Sequence, residues 1–306
     1  MNTSNNFYGN YTRKKNLSIE KEHYGNILPT INMLKSSLLV SISGALRVYI
    51  ASLLLLAQTS ISNCVAGGLI VYAVYTLDRA LESTEDSINR SELNGANKKI
   101  ALLFSLVAFL LGFYILSNSG LIVIALIPLI TGYLYSKGIN LGKLNLKLKG
   151  GLGIKNLVVG LTWGTFITGI AGNGIENYLP VLIVFFYYAS KLFINSTIYD
   201  FKDVKGDLMA GIKTLPVSLG KKNTRELLLA LHMISHSLIA TAIIMKLIAF
   251  EPLIVLYSFF IGLVYIIRLT HDRENETTRG KIERLFLVDG ESGSIISLRA
   301  VIGSMG

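Results

Sequence analysis

Eight stretches of the chain are apolar over or near the roughly 20 residues that a helix needs to cross a bilayer core of about 30 Å. They are Ser36–Gln58, Ile61–Leu77, Ile100–Ser117, Leu121–Ser136, Asn156–Ala171, Leu179–Ile198, Leu227–Met245 and Pro252–Ile267. A ninth stretch, Leu285–Ile302, is interrupted by Asp289, Glu291 and Arg299 and reads as a poor span, an interfacial helix or a tail. The pattern predicts an all-α, polytopic membrane bundle of eight or nine transmembrane helices. Its parts are a polar tail over 1–35, a membrane core over 36–270 and a C-terminal segment over 271–306.

Composition agrees with this. Of 306 residues, 51% are hydrophobic and 16% charged, well below the quarter expected of a soluble domain. The single cysteine, Cys64, excludes an intramolecular disulfide framework and any multi-cysteine metal site. His232 and His236 share a helix face at i, i+4 and read either as metal ligands or as packed intramembrane histidines.

The net charge of +10 is one-sided. The connections after even-numbered spans, from Arg79 to Arg284, together with the N-terminal cluster Arg13, Lys14 and Lys15, hold nearly all the Lys and Arg, whereas the odd ones hold only Lys246. The positive-inside rule then places the N-terminus and this cationic face in the cytoplasm of a cell-membrane protein, with contacts to anionic lipids. Topology accounts for the charge without nucleic acid.

The acids on that face need another explanation. Asp78, Glu82 and Asp86 recur at i, i+4, i+8 after the second span. Asp200, Asp203 and Asp207 recur at i, i+3, i+7 after the sixth. Like charges stacked on one helix face destabilise the helix. Two such stripes across a polar cavity would instead offer hard oxygen ligands suited to Mg²⁺. A secondary transporter or cation channel is the other class that uses acids in a membrane bundle. It would place them near the midplane, often at broken helices.

The second stripe continues as Gly211-x-Lys213-Thr214-Leu215-Pro216-Val217-x-x-Gly220. In that form it resembles the second aspartate motif of the UbiA family of intramembrane prenyltransferases. The first stripe resembles the family's first motif, with Asp78 where Asn is usual and Glu82 where Asp is usual. Asp86 matches, and Arg90 follows as the basic residue. Tyr133 and Lys137 have the family's Tyr-x-x-x-Lys spacing, and Gly153-Ile-Lys-Asn156-Leu157-Val158 resembles the opening of its fifth helix. The resemblance covers about residues 36–270 and lacks the Arg-Pro pair that many members carry before the first span.

The resemblance implies Mg²⁺-dependent transfer of an isoprenyl group, geranyl to geranylgeranyl or longer, from an allylic diphosphate to a hydrophobic aromatic or lipid acceptor. Metal ligands would be Asp78, Glu82, Asp86, Asp200, Asp203 and Asp207. Lys137, Arg90 and Arg47 would clamp diphosphate oxygens, and Tyr133, Tyr135 or Tyr199 would face the allylic cation. Arg47, central in the first span, either contacts diphosphate or pairs with a buried group. Lys191 either reaches the cavity or snorkels. Asn195 is a polar liner or a helix–helix hydrogen bond. The five-lysine connection Lys137–Lys155 is a cap over the diphosphate or a positive-inside loop.

Overall fold

The computed structural model describes residues 27–81, 93, 95–136, 139–141, 144–146, 153–209, 211–271 and 278–304; side chains of the two strands and of Thr278 are outside the description. Its elements are α1 (Ile27–Leu55, with a turn at Ser37), α2 (Ile61–Ala80), α3 (Lys98–Asn118) and α4 (Ile122–Ser136), then the strands β1 (Ile139–Leu141) and β2 (Leu144–Leu146). After these come α5 (Ile154–Ala171), α6 (Tyr178–Met209), α7 (Leu215–Ile244), α8 (Pro252–Leu269), α9 (Thr278–Arg284), a π-helical turn (Leu285–Asp289) and α10 (Glu291–Gly303). Seven of these helices are long and apolar enough to cross a membrane, and α4 is a shorter apolar helix. The eight expected spans are therefore all helical.

The surface is that of a lipid-embedded bundle. On α3, Leu103, Leu106, Leu110 and Leu111 are exposed, while Ala101, Ser105, Ala108 and Gly112 are buried at i, i+4, i+7, i+11. With lipid as the solvent, helices associate by close packing of small residues rather than by hiding leucines. A close crossing joins α5 to α6. A Cβ added at Gly160 would stand 2.5 Å from the Ala189 carbonyl oxygen, so the backbones meet there with no room for a side chain. This crossing sets the height of the α5 N-terminus against the acid-bearing end of α6.

Three local features differ from the linear pattern. Helix is already formed at Ile27, within the segment read as polar tail, where Leu28, Ile31 and Met33–Leu34 add an apolar turn or two below the first span. α6 continues to Met209, well past Ile198, so all three of its aspartates are helical. α1 and α6 thus project beyond the apolar runs that announced them. Between β1 and β2 runs a small antiparallel hairpin, Ile139 opposite Leu146, inside the connection read as a loop.

The C-terminal segment is part of the bundle, and α10 packs on α1 and α8. Each charge that made it a poor span has a partner. The Tyr199 hydroxyl donates to the Asp289 carboxylate, Lys191 Nζ lies 2.6 Å from Glu291 Oε1, and Arg299 Nη2 lies 3.1 Å from Glu251 Oε1.

Candidate active site

A cavity of about 480 Å³ opens among α1, α2, α4, α5, α6 and the α9–π segment. Asp78 from α2 and Asp200, Asp203 and Asp207 from α6 all line it, so the first acid of one motif shares a space with all three of the other. Helical continuity of α6 puts its three acids on one face, and the close α5 crossing brings basic and amide partners to the first of them. Asp200 is buried, receiving 2.7 Å and 2.8 Å hydrogen bonds from Lys155 Nζ and Asn156 Nδ2. Asp203 lies 3.2 Å from Lys202 Nζ, and Asp78 accepts from Ser136 Oγ at 2.7 Å. Asp207 is buried, and its Oδ2 has no partner.

That orphaned carboxylate oxygen is the observation against which a metal can be judged. Among the described residues no three Asp, Glu, His or Cys side chains group closely enough to hold an ion by themselves. Mg²⁺ does not need such a cage, since it binds through one or two carboxylates and completes its shell with water and phosphate oxygens. Asp207 with Asp203 and Asp200 supplies that kind of donor set, and Asp78 faces it across the cavity.

Other expected residues divide clearly. Arg47, Asn195, Tyr199 and Tyr135 line the cavity. Both amide atoms of Asn195 are buried without partners, so it is a cavity liner rather than a helix–helix bond. Tyr133 turns outward, 48% exposed, while Tyr135 two residues on faces inward. Lys191 neither lines the cavity nor snorkels. Its ammonium is buried against Glu291 and donates to Ser258 Oγ at 2.5 Å. Glu82, Asp86, Arg90 and Lys137 lie outside the described residues. The two histidines are packed: His236 Nδ1 is 2.9 Å from the His232 carbonyl oxygen, and His232 Nε2 is 3.0 Å from that of Phe259. A ring nitrogen bonded to a carbonyl carries the proton, so only the other nitrogen of each ring keeps a lone pair, and that of His236, Nε2, is buried without a partner.

Two groups were not among the expected site residues. Tyr75 and Trp163 stack at 5.7 Å between centroids with planes 23° apart, and both line the cavity. From the C-terminal segment come Arg284 and Asp289, with the Arg284 guanidinium 4.7 Å from the Tyr199 ring centre. A lone tryptophan with an i+3 aromatic neighbour reads as core, and acids in a faint ninth span read as a defect. Only their distant partners reveal them.

A multi-pass helical bundle with two aspartate-bearing helix ends across one lipid-embedded cavity defines an intramembrane transferase rather than a transporter. Residues 37–288 match the UbiA prenyltransferase family, and the chain belongs to that family. It is 30% identical over 236 residues to digeranylgeranylglyceryl phosphate synthase of Sulfurisphaera tokodaii, covering 72% of this chain and 77% of the relative. To the same-named enzyme of Sulfolobus acidocaldarius it is 31% identical over 174 residues, 54% of this chain and 56% of the relative. Among solved structures, a UbiA homolog from Archaeoglobus fulgidus bound to GPP and Mg²⁺ superposes with a TM-score of 0.60 at 18% identity, covering 88% of this chain and 99% of that one. A structure of digeranylgeranylglyceryl phosphate synthase superposes at 0.54 and 19% identity, covering 92% and 94%. At such identities the structural likeness speaks for the fold.

Proposed function

We propose that the protein transfers an isoprenyl group, of geranylgeranyl type, from its allylic diphosphate to the hydroxyl of a prenylglyceryl phosphate ether within the membrane. The observation that carries the donor half is the buried, partnerless Asp207 oxygen in a cavity that Asp78 of the first motif also lines. The acceptor class follows the names of the relatives. Asp78, Asp200, Asp203 and Asp207 would hold Mg²⁺, with Glu82 and Asp86 completing the first motif. Bound there, the ion neutralises the charge that builds on the leaving diphosphate.

The chain's own residues do the rest. Lys155 and Asn156 fix the Asp200 carboxylate in place, and Lys137 and Arg90 are the remaining diphosphate clamps. As the C1–O bond breaks, its electron pair leaves with diphosphate and the allylic cation faces Tyr75 and Trp163. Their ring faces attract positive charge, and the buried stack keeps water away from it. The acceptor oxygen then forms the new C–O bond and its proton passes to the departing diphosphate. The one-sided cations support a cytoplasmic placement of the N-terminus and of the cavity mouth.

The test uses purified protein in lipid nanodiscs with labelled geranylgeranyl diphosphate. The expected result is Mg²⁺-dependent donor binding and transfer to geranylgeranylglyceryl phosphate. Chelator, Asp200→Ala or Asp207→Ala should abolish transfer. Donor binding that ignores chelator and both substitutions would sink the assignment.

A further inference from the structure

The acidic stripe of α6 has a cation of its own. Lys155 is the second residue of α5, and its Nζ lies 2.7 Å from Asp200 Oδ1. Its side chain is 20% exposed against 1% for that of Asp200, and both residues line the cavity. The charge reaches beyond its hydrogen-bond partner, since Lys155 acts electrostatically on Asp207 as well as on Asp200. Those two acids stand about two turns apart on α6, roughly 10 Å along its axis, with Asp203 between them. Carboxylates stacked in this way repel one another, and the Lys155 ammonium offsets part of that repulsion.

The two groups that hold Asp200 differ in freedom. Asn156 is fully buried, and its amide donates to Asp200 Oδ2 at 2.8 Å and to Ser196 Oγ at 3.1 Å, which anchors it from two sides. Lys155 holds Oδ1 from the end of a flexible four-carbon stem with rotatable donors. The backbone beneath that stem is pinned. Gly153, just before α5, has a φ of 67°, and a Cβ there would meet the Leu215 side chain at 3.1 Å. Movement at this point is therefore left to the Lys155 side chain, within the cavity it already lines. Asp207 Oδ2 stands open, whereas Asp200 Oδ1 is closed by a cation on a movable arm.

We infer that Lys155 is an exchangeable counter-cation, which closes Asp200 in the waiting site and passes to a diphosphate oxygen when the donor arrives with its metal. The inference rests on the donor chemistry proposed above. An ammonium and a divalent ion on one carboxylate oxygen repel each other strongly where the dielectric is low. Lys155 therefore competes with metal at Asp200 for as long as no other anion is within its reach. A diphosphate oxygen offers the ammonium a charge-assisted hydrogen bond in exchange for the one it gives up. Asn156 keeps its hold on Oδ2 throughout, so the carboxylate does not turn. Metal alone meets the ammonium, and diphosphate alone meets the carboxylates, so each favours the binding of the other. The site thereby admits the complete pair in preference to either member.

Calorimetric titration of the full chain in lipid nanodiscs, with no acceptor present, tests this without turnover. Mg²⁺ is titrated alone and then in the presence of geranylgeranyl diphosphate. In the native protein the donor should tighten Mg²⁺ binding about 10-fold or more, within the usual range of coupling between two ligands. Lys155→Gln removes the competing charge. Mg²⁺ alone should then bind about 10- to 100-fold tighter than in the native protein, the scale of one charge-assisted hydrogen bond, while the donor binds more weakly at saturating Mg²⁺. Lys155→Arg keeps the charge and grips the carboxylate with two parallel donors. Mg²⁺ alone should bind it more weakly than the native protein, and this variant decides the matter should the neutral one fail to assemble. Mg²⁺ binding that is unchanged or weaker in Lys155→Gln, or no weaker in Lys155→Arg, overturns the exchange. If the native protein binds the donor equally well with and without Mg²⁺, the donor reading itself fails. That outcome is seen before any variant is made, so the two failures are distinguishable.

Discussion

Lys191 and Glu291, 100 positions apart in the chain, form a 2.6 Å ion pair buried inside the bundle. Lys191 also donates to Ser258 Oγ, which in turn shares a 2.6 Å hydrogen bond with the Tyr187 hydroxyl. The pair ties α6 and α8 to the start of α10, two residues after Asp289 enters the cavity. It is a clasp on the segment that completes the site.

Removing one partner of a buried pair strands the other charge, which costs about 3–5 kcal/mol. Lys191→Met and Glu291→Leu should each lower the apparent melting temperature in detergent and depress activity. The double variant Lys191→Met/Glu291→Leu should recover most of the stability. Thermal unfolding of all three measures it, and strictly additive losses would contradict a direct pairing.

Asn156 leaves a different mark. Its amide fills one side of the Asp200 carboxylate, and Lys155 fills the other. Asn156→Leu preserves approximate volume but leaves Asp200 Oδ2 without its 2.8 Å donor. Activity should fall about 10-fold or more, in line with the loss of a hydrogen bond to a charged group, and the Mg²⁺ concentration giving half-maximal rate should shift. A magnesium titration of initial rate reads both.

The Tyr75–Trp163 stack makes a prediction about product rather than rate alone. Trp163→Leu keeps the site apolar but removes the ring face and opens space beside the cation. Transfer should slow by about 10-fold, the scale of a desolvated cation–π contact. Free prenyl alcohol, from capture of the cation by water, should rise as a fraction of product. Chromatography of the labelled products distinguishes the two fates, and an unchanged alcohol fraction would deny the stack its shielding role.

Gly160→Ala tests the helix crossing. The new Cβ would meet the Ala189 carbonyl oxygen at 2.5 Å, a backbone atom that cannot rotate away. Overpacking of this kind costs about 1–3 kcal/mol. Because α5 also carries Lys155 and Asn156, activity should fall with stability in this variant. The same substitution at Gly174, where nothing lies within 4 Å, meets no such crowding and is strained only by its positive φ of 82°.

Much of the bundle was legible because apolar runs of bilayer length have few soluble alternatives, and the eight spans are helices where hydropathy put them. The i, i+3, i+7 spacing of Asp200, Asp203 and Asp207 carried as much information as their identity, since α6 simply continues through them. Arg47 was conspicuous as a charge in an apolar run, but that it lines the same cavity as Asp78 was not readable without the packing of α1 on α2. Lys191 was misleading for the same reason, its partner lying in the segment that hydropathy scored as weakest. Tyr133 and Tyr135 show the limit of motif spacing, since the direction a tyrosine faces is decided by helix rotation and not by the residue that follows it.

The pairing of Asp289, Glu291 and Arg299 bears on how the protein is made. Judged alone at insertion, a segment with three such charges is a poor entrant, each costing about 2.5–3.5 kcal/mol at a helix centre. It is synthesised after the helices that hold Tyr199, Lys191 and Glu251, and those partners are waiting for it. The segment therefore enters by docking onto helices already in the bilayer, and the catalytic chamber closes only once that docking is made.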